Sequence, residues 1–202
     1  KRTIKMKKVF FMVLGIFCMI SQPMVAQNSE VEITAGLNLS SMSEYDSKIG
    51  FHAGVRISKG FSSGAYINGA ALLSLKGCEK DLGELLDVTF NAYYLDIPVH
   101  LGYKYAFNES VSVFGEFGPY FAFGLFGKAK LSSMGDEIKV DTFSDDGGVK
   151  RFDFGLGLRV GVEINNRVPI SIGYDFGLVN VAKDTDDAIR SSNITLGIGY
   201  KF

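Results

Sequence analysis

The chain has 202 residues, with 21 Lys and Arg against 22 Asp and Glu and a formal charge of −1 at pH 7. So even a balance, without a basic block, excludes the phosphate-neutralising chemistry of a nucleic-acid binder. Beyond an N-terminal leader the chain is of single-domain size, and Cys78 is its only remaining cysteine, so no internal disulfide can form and packing and hydrogen bonding alone must hold the fold.

The leader comes first. Lys7 and Lys8 precede an apolar run over 9–20, and Ser21, Pro23 and Ala26 follow it. This is the pattern of a secretory signal peptide, too short to span a bilayer, which needs about 20 apolar residues. Cleavage after Ala26 makes residues 1–26 the signal peptide and 27–202 the mature domain. Met6 is a better initiator than Lys1, so 1–5 read as an upstream extension. Phe17, before Cys18, is too large for a lipoprotein signal.

From there the chain alternates. Val31 to Leu39, Phe51 to Ile57, Ala65 to Leu75, Tyr93 to Tyr105, Val111 to Phe123, Phe152 to Val162, Val168 to Leu178 and Ile194 to Phe202 each place apolar residues at every second position. Period two is the signature of a strand with two different faces. Eight such strands, each near the roughly 9–11 residues that cross a membrane at a tilt, predict an all-β, eight-stranded antiparallel up-and-down barrel. The connections alternate too. Short turns at 59–63, 107–109 and 165–167 contrast with longer polar loops at 41–48, 76–89, 127–150 and 180–191. In an outer-membrane barrel the short turns and both termini face the periplasm, and the long loops face outside.

Alternation alone leaves open which face points inward, and a soluble lipocalin-like barrel would enclose its apolar face around a ligand. The polar face decides against that reading. It carries Arg56, Asp96, Lys104, Glu116, Asp153, Arg159, Glu163, Asp175 and Lys201, with Gly54, Gly102, Gly155, Gly157, Gly173 and Gly197 among them. Charge mixed with glycine suits a narrow, ion-paired interior, and bulky apolar residues suit lipid. Aromatic residues at strand ends, such as Tyr93, Tyr103, Tyr105, Phe107, Phe121, Phe123 and Tyr200, fit interfacial girdles. Pro98 and Pro119 lack a ladder donor and are expected at bulges, and Pro169 lies near a turn.

Several stretches resemble a known family. Tyr94-Leu95-Asp96-Ile97-Pro98-Val99 followed by Leu101, Tyr103, Lys104 and Tyr105 is similar to the central signature of the PorT-like outer-membrane β-barrel family of Bacteroidetes-type bacteria, often labelled porin family protein. Gly50-Phe51-His52-Ala53-Gly54-Val55, Gly115-Glu116-Phe117-Gly118-Pro119-Tyr120 and the closing Leu196-Gly197-Ile198-Gly199-Tyr200-Lys201-Phe202 extend the resemblance over nearly all of the mature chain. It implies an outer-membrane barrel with periplasmic termini and a last strand, ending in Tyr200 and Phe202, that the barrel-assembly machinery reads. The family shares no catalytic residues, and some members are linked to protein secretion.

An eight-stranded ring is just wide enough for its own side chains. The inward charges together with His100 therefore read as a structural ion-pair network rather than a pore lining. His52 and His100 near Asp96 and Glu116 could also be read as a metal or acid–base cluster, but a polar interior needs hydrogen-bonding groups in any case. No motif calls for a cofactor, metal or catalytic set. Asp145-Asp146 and Asp184 to Asp187 lack the spacing of a calcium loop and read as solvated surface, and Cys78 reads as an inert loop residue. The expected function is a non-enzymatic outer-membrane platform. Its partners are outer-membrane lipid, the assembly machinery and a protein or glycan met first at 127–150. A small-solute channel and a barrel enzyme are the alternatives.

Overall fold

A computed structural model of the protein describes residues 29–42, 46–81, 87–133, 136–143, 149–181 and 189–202, so the expected signal peptide lies outside the described residues. In chain order the strands are β1 (Ser29–Met42), β2 (Asp46–Gly60), β3 (Ala65–Asp81), β4 (Asp87–Ala106), β5 (Val111–Ser133), β6 (Asp136–Asp141), β7 (Phe152–Ile164), β8 (Val168–Gly177) and β9 (Ser191–Lys201). Every pairing is antiparallel, from β1 with β2 round to β8 with β9. The pairing of β1 with β9, from Glu32 opposite Lys201 to Met42 opposite Ser191, closes the ring. Eight strands form the barrel, and β6 stands outside it as a ninth strand paired with β5.

The two faces separate as the alternation predicts. Leu37, Leu101, Leu196 and Ile198 point outward and are each more than half exposed, whereas Glu32, Asn38, Arg56, Glu116, Arg159 and Glu163 point inward and are buried. A coat of Leu, Ile, Val and Phe around a charged interior finds its favourable solvent in hydrocarbon, where a closed ring leaves no backbone group unpaired at an edge. Rings pair at both margins of that coat. Phe121 packs on Phe154 at 5.2 Å, Phe123 on Phe152 at 5.4 Å and Tyr93 on Phe126 at 4.6 Å toward the long-loop end. Tyr105 with Phe107 at 5.6 Å and Tyr200 with Phe202 at 5.2 Å mark the short-turn end. Tyr93 and Tyr103 are ten residues apart on β4, which at about 3.3 Å per residue and a tilt near 40° spans roughly 25 Å, the height of a membrane barrel's apolar band.

Local chemistry sets the tight turns. Asn165 and Asn166 sit at φ 52° and 54°, the left-handed region that Asn tolerates and a two-residue hairpin requires; Arg167 N–H donates to the Ile164 carbonyl at 3.0 Å. The Asn108 side-chain oxygen accepts from the Ser110 and Val111 amides at 2.9 and 2.8 Å, closing the β4–β5 turn.

Three expectations need correction. The segments at 76–89 and 127–150 are largely strand: β3 and β4 pair up to Asp81 opposite Asp87, and β5 continues to Ser133 beside β6. Both arms of the second hairpin carry a short alternation, Ala129 and Leu131 between Lys128, Lys130 and Ser132, and Ile138 and Val140 between Glu137, Lys139 and Asp141. It is brief and set among Gly, Ser and charge, so it reads as loop, whereas the ladder hydrogen bonds make it strand. Next, the prolines are not at bulges. Pairing lapses beside Pro98 between Gly69–Val99 and Leu72–Asp96, and beside Pro119 between Pro98–Tyr120 and Leu101–Phe117, and each time resumes in the same register. The register shifts lie elsewhere, between Ser47 and His52 of β2, and at Tyr93 and Tyr94 of β4, where Leu125 of β5 is left over. Finally, Cys78 is a buried β3 residue rather than a loop residue.

Candidate functional site

Inward side chains from all eight barrel strands fill the interior in three tiers. At the short-turn end Lys104, from β4, holds Glu163, from β7, at 3.0 Å and Glu30, from β1, at 3.7 Å. Lys201, from β9, completes the ring by pairing with Glu30 at 2.7 Å and with Glu163. Two ammonium and two carboxylate groups thus bind together four strands distant in sequence. Gly199 makes room, since a side chain there would collide with Glu32.

The middle tier centres on Arg159. Its Nη1 donates to both Glu116 oxygens at 3.0 and 3.1 Å, Nη2 lies 3.4 Å from Glu32, and Nε donates to Ser171 at 3.0 Å. The guanidinium also stacks 4.8 Å from the Phe114 ring centroid. Arg56 shares Glu32 at 3.9 Å and donates to Asn68 Oδ1 at 3.4 Å, and Tyr66 donates to Glu116 at 2.9 Å. A planar five-donor fork is suited to reach three strands at once. His100 Nδ1 lies 3.8 Å from Glu116 without a hydrogen bond, while His52 Nδ1 is 2.6 Å from Asn38 Oδ1.

Toward the long-loop end Lys76 donates to Asp96 at 2.9 Å and sits 5.5 Å from the centroids of Tyr94 and Tyr120. Asp153 Oδ2 accepts from Ser191 at 2.5 Å and Tyr120 at 3.1 Å, and Asp175 accepts from Asn193 at 3.1 Å. Above this tier the mouth is stopped by apolar packing. Phe143 and Val149 fold inward onto Ala92, Tyr94, Tyr120 and Ala122; the Phe143 ring meets Tyr94 edge-on at 5.7 Å, occupies space that a side chain at Gly124 would take, and lies beneath Arg151 at 4.9 Å.

Two small cavities lie among these side chains. A cavity of about 40 Å³ lies among His52, Arg56, Asp96, His100, Arg159 and Asp175, and one of about 20 Å³ among Ser40, Lys76, Tyr120, Asp153, Ser191 and Asn193. Each admits one to a few waters, since about 10–15 Å³ of this kind of space holds one.

The structure therefore brings the sequence-predicted residues together as three groups rather than one. Lys104, Glu163 and Lys201 form the first, Arg56, Glu116 and Arg159 with His100 the second, and Asp96, Asp153 and Asp175 the third. Sequence reasoning missed Glu30, Glu32, Tyr66, Lys76, Tyr120, Ser191 and Asn193 as members. Period two places Glu32 and Asn193 on the inward face, but Lys76 lay in an expected loop, and Tyr66 and Tyr120 resemble girdle residues by type. Neither histidine hydrogen-bonds a hydroxyl among the described residues. Among the described residues no group of three or more His, Cys, Asp or Glu side chains is arranged to hold a metal ion.

Several solved structures are similar to this chain. Ail, the attachment invasion locus protein of Yersinia pestis, is 21% identical with a TM-score of 0.43, covering 86% of this chain and 97% of its own. Neisserial surface protein A is 15% identical with a TM-score of 0.48, covering 87% and 98%, and OprG from Pseudomonas aeruginosa is 13% identical with a TM-score of 0.45, covering 87% and 96%. No curated protein matches the sequence. Residues 25–183 match the family model described as outer membrane protein beta-barrel domain, and the chain, a closed eight-stranded barrel with an apolar outer face, belongs to that family.

Proposed function

We propose that the protein is a non-enzymatic outer-membrane platform, with both mature termini in the periplasm, whose hairpins meet a protein or glycan partner in adhesion, envelope integrity or secretion. The observation that carries this reading is the uneven rim. β5 leaves β7 at Phe123 opposite Phe152 and continues to Ser133, with β4 on one side and β6 on the other. Those ten further residues extend roughly 30 Å at about 3.3 Å each, so β3 to β6 form a raised wall on one side of a mouth stopped by Phe143. A rigid sheet presents a surface at low ordering cost, which favours recognition. The filled interior and its plug argue against solute passage.

The finer placement in a PorT-like, Bacteroidetes-type group rests on the Tyr94–Val99 stretch and its companions and favours a secretion partner among these roles. Tyr200 and Phe202, whose rings meet edge-on where β9 ends, are the residues we assign to recognition by the assembly machinery.

The test is cross-linking in intact cells from a photoreactive residue at position 138, compared with a variant in which residues 128–141 are replaced by a short turn. A specific adduct, lost in that variant while the folded barrel still migrates faster on gels when unheated, is the expected result. No adduct from a folded, exported barrel would refute a partner at this wall. Discrete, reproducible conductance steps in planar bilayers would put the channel reading in its place. Loss of a defined activity in a folded His100→Ala, Asp96→Ala variant would do the same for the enzyme reading.

A further inference from the structure

Charge is unevenly matched along the barrel axis. In the two tiers nearest the short turns every carboxylate lies against a lysine or arginine. Toward the long loops Asp96, Asp153 and Asp175 outnumber the cations left to them: Lys76 is taken up by Asp96 at 2.9 Å, and Arg56 and Arg159, which line the larger cavity with Asp96 and Asp175, are held by Glu32 and Glu116. Burying carboxylates beyond the available cations is costly unless something supplies positive charge.

Two orphaned atoms locate the deficit. Asp153 Oδ1 and Asn193 Oδ1 are buried without a hydrogen-bond partner, and their residues are only 4% and 5% exposed. Both residues line the 20 Å³ cavity, together with Ser40, Ser191 and Lys76, whose ammonium is engaged by Asp96. The orphans are acceptors, which a donor or a cation satisfies and another carbonyl does not. Their orientation is imposed by neighbours: Asp153 spends Oδ2 on Ser191 and Tyr120, and Asn193 spends its amide donor on Asp175. Glycine at 177 leaves room for this arrangement, since a side chain there would meet Ser191 Oγ at 2.5 Å.

We propose that the long-loop half of the interior binds one small monovalent cation of the sodium or potassium class, held by Asp153 Oδ1, Asn193 Oδ1 and the Ser191 hydroxyl beneath the Phe143 plug. Hard oxygen donors, one of them charged, suit an alkali cation. A single carboxylate with neutral oxygens is too weakly charged a set for a calcium site, and the absence of sulfur or imidazole from it turns away zinc and copper. Bound there, the ion would join β7 to β9 and neutralise part of the acid surplus that Lys76 leaves. This inference is independent of any partner at the raised wall.

The experiment uses the full mature barrel folded in detergent micelles. The unfolding midpoint is read from circular dichroism at constant pH and ionic strength, with sodium or potassium chloride exchanged for N-methylglucamine chloride. The expected result is a saturable rise of about 3–5 °C at a tenfold excess over the dissociation constant, lost in Asp153→Asn. Equal midpoints in the small and the bulky cation would overturn the site, as would a midpoint that follows pH alone, which would assign the balance to protons on the aspartates or histidines. Should Asp153→Asn fail to fold, sodium-23 line broadening by the wild-type barrel, relieved by added potassium, is expected in its place. The absence of any such broadening would also overturn the proposal.

Discussion

Arg159 shows what a single interior residue does in this barrel. It reaches from β7 to Glu116 on β5, Ser171 on β8 and, across the lumen, Glu32 on β1. Removing one member of a buried pair strands the other charge. We therefore expect Arg159→Ala to cost about 3–5 kcal/mol in urea-induced unfolding from lipid bilayers, whereas Arg159→Met combined with Glu116→Leu recovers most of that loss, because an apolar pair leaves no stranded ion. Space is as tightly allotted as charge. A methyl group at Gly157 would lie 2.8 Å from both His100 Nε2 and Asp175 Oδ1, so Gly157→Ala should lower stability by about 1–3 kcal/mol in the same assay.

Single strands have two environments, and substitutions sort by which they meet. Leu196, central in β9 and 56% exposed, faces lipid between Leu37 and Ile172. Leu196→Arg should cost about 2–4 kcal/mol in bilayers, with the cost falling toward either girdle as the charge nears water. The plug behaves differently because it lies outside the ring's hydrogen-bond ladder. Phe143→Ala removes the ring between Tyr94 and Arg151 and frees a local unit. Trypsin should then cleave faster after Lys150 and Arg151, while the heat-dependent gel shift of the barrel itself stays unchanged.

At the scale of the molecule, closure is the governing constraint. The β1–β9 ladder joins the two ends of the described chain, and in hydrocarbon a ring is the arrangement of strands that pairs every backbone group. With the lumen crossed by two tiers of salt bridges and stopped by the Phe143 cluster, purified protein in planar bilayers should give no discrete conductance steps. Simultaneous loss of Arg159 and Phe143 is the change most able to introduce them.

The sequence alone determined the strand count of the ring, the face each side chain takes and the compartment the fold requires, because period-two alternation is local and any strand of this kind exposes every second residue. Burial of Arg56, Glu116 and Glu163 followed from parity, and so did the outward exposure of Leu37 and Leu196. Tertiary structure alone decided who pairs with whom. Lys201 meets Glu30 across 171 positions and Arg159 meets Glu32 across 127, contacts fixed by the register of ladders that close only when the whole sheet is built. It also decided that polar stretches around β6 are strands and that Phe143 turns inward, since there the deciding contacts are hydrogen bonds and packing between segments rather than a pattern within one.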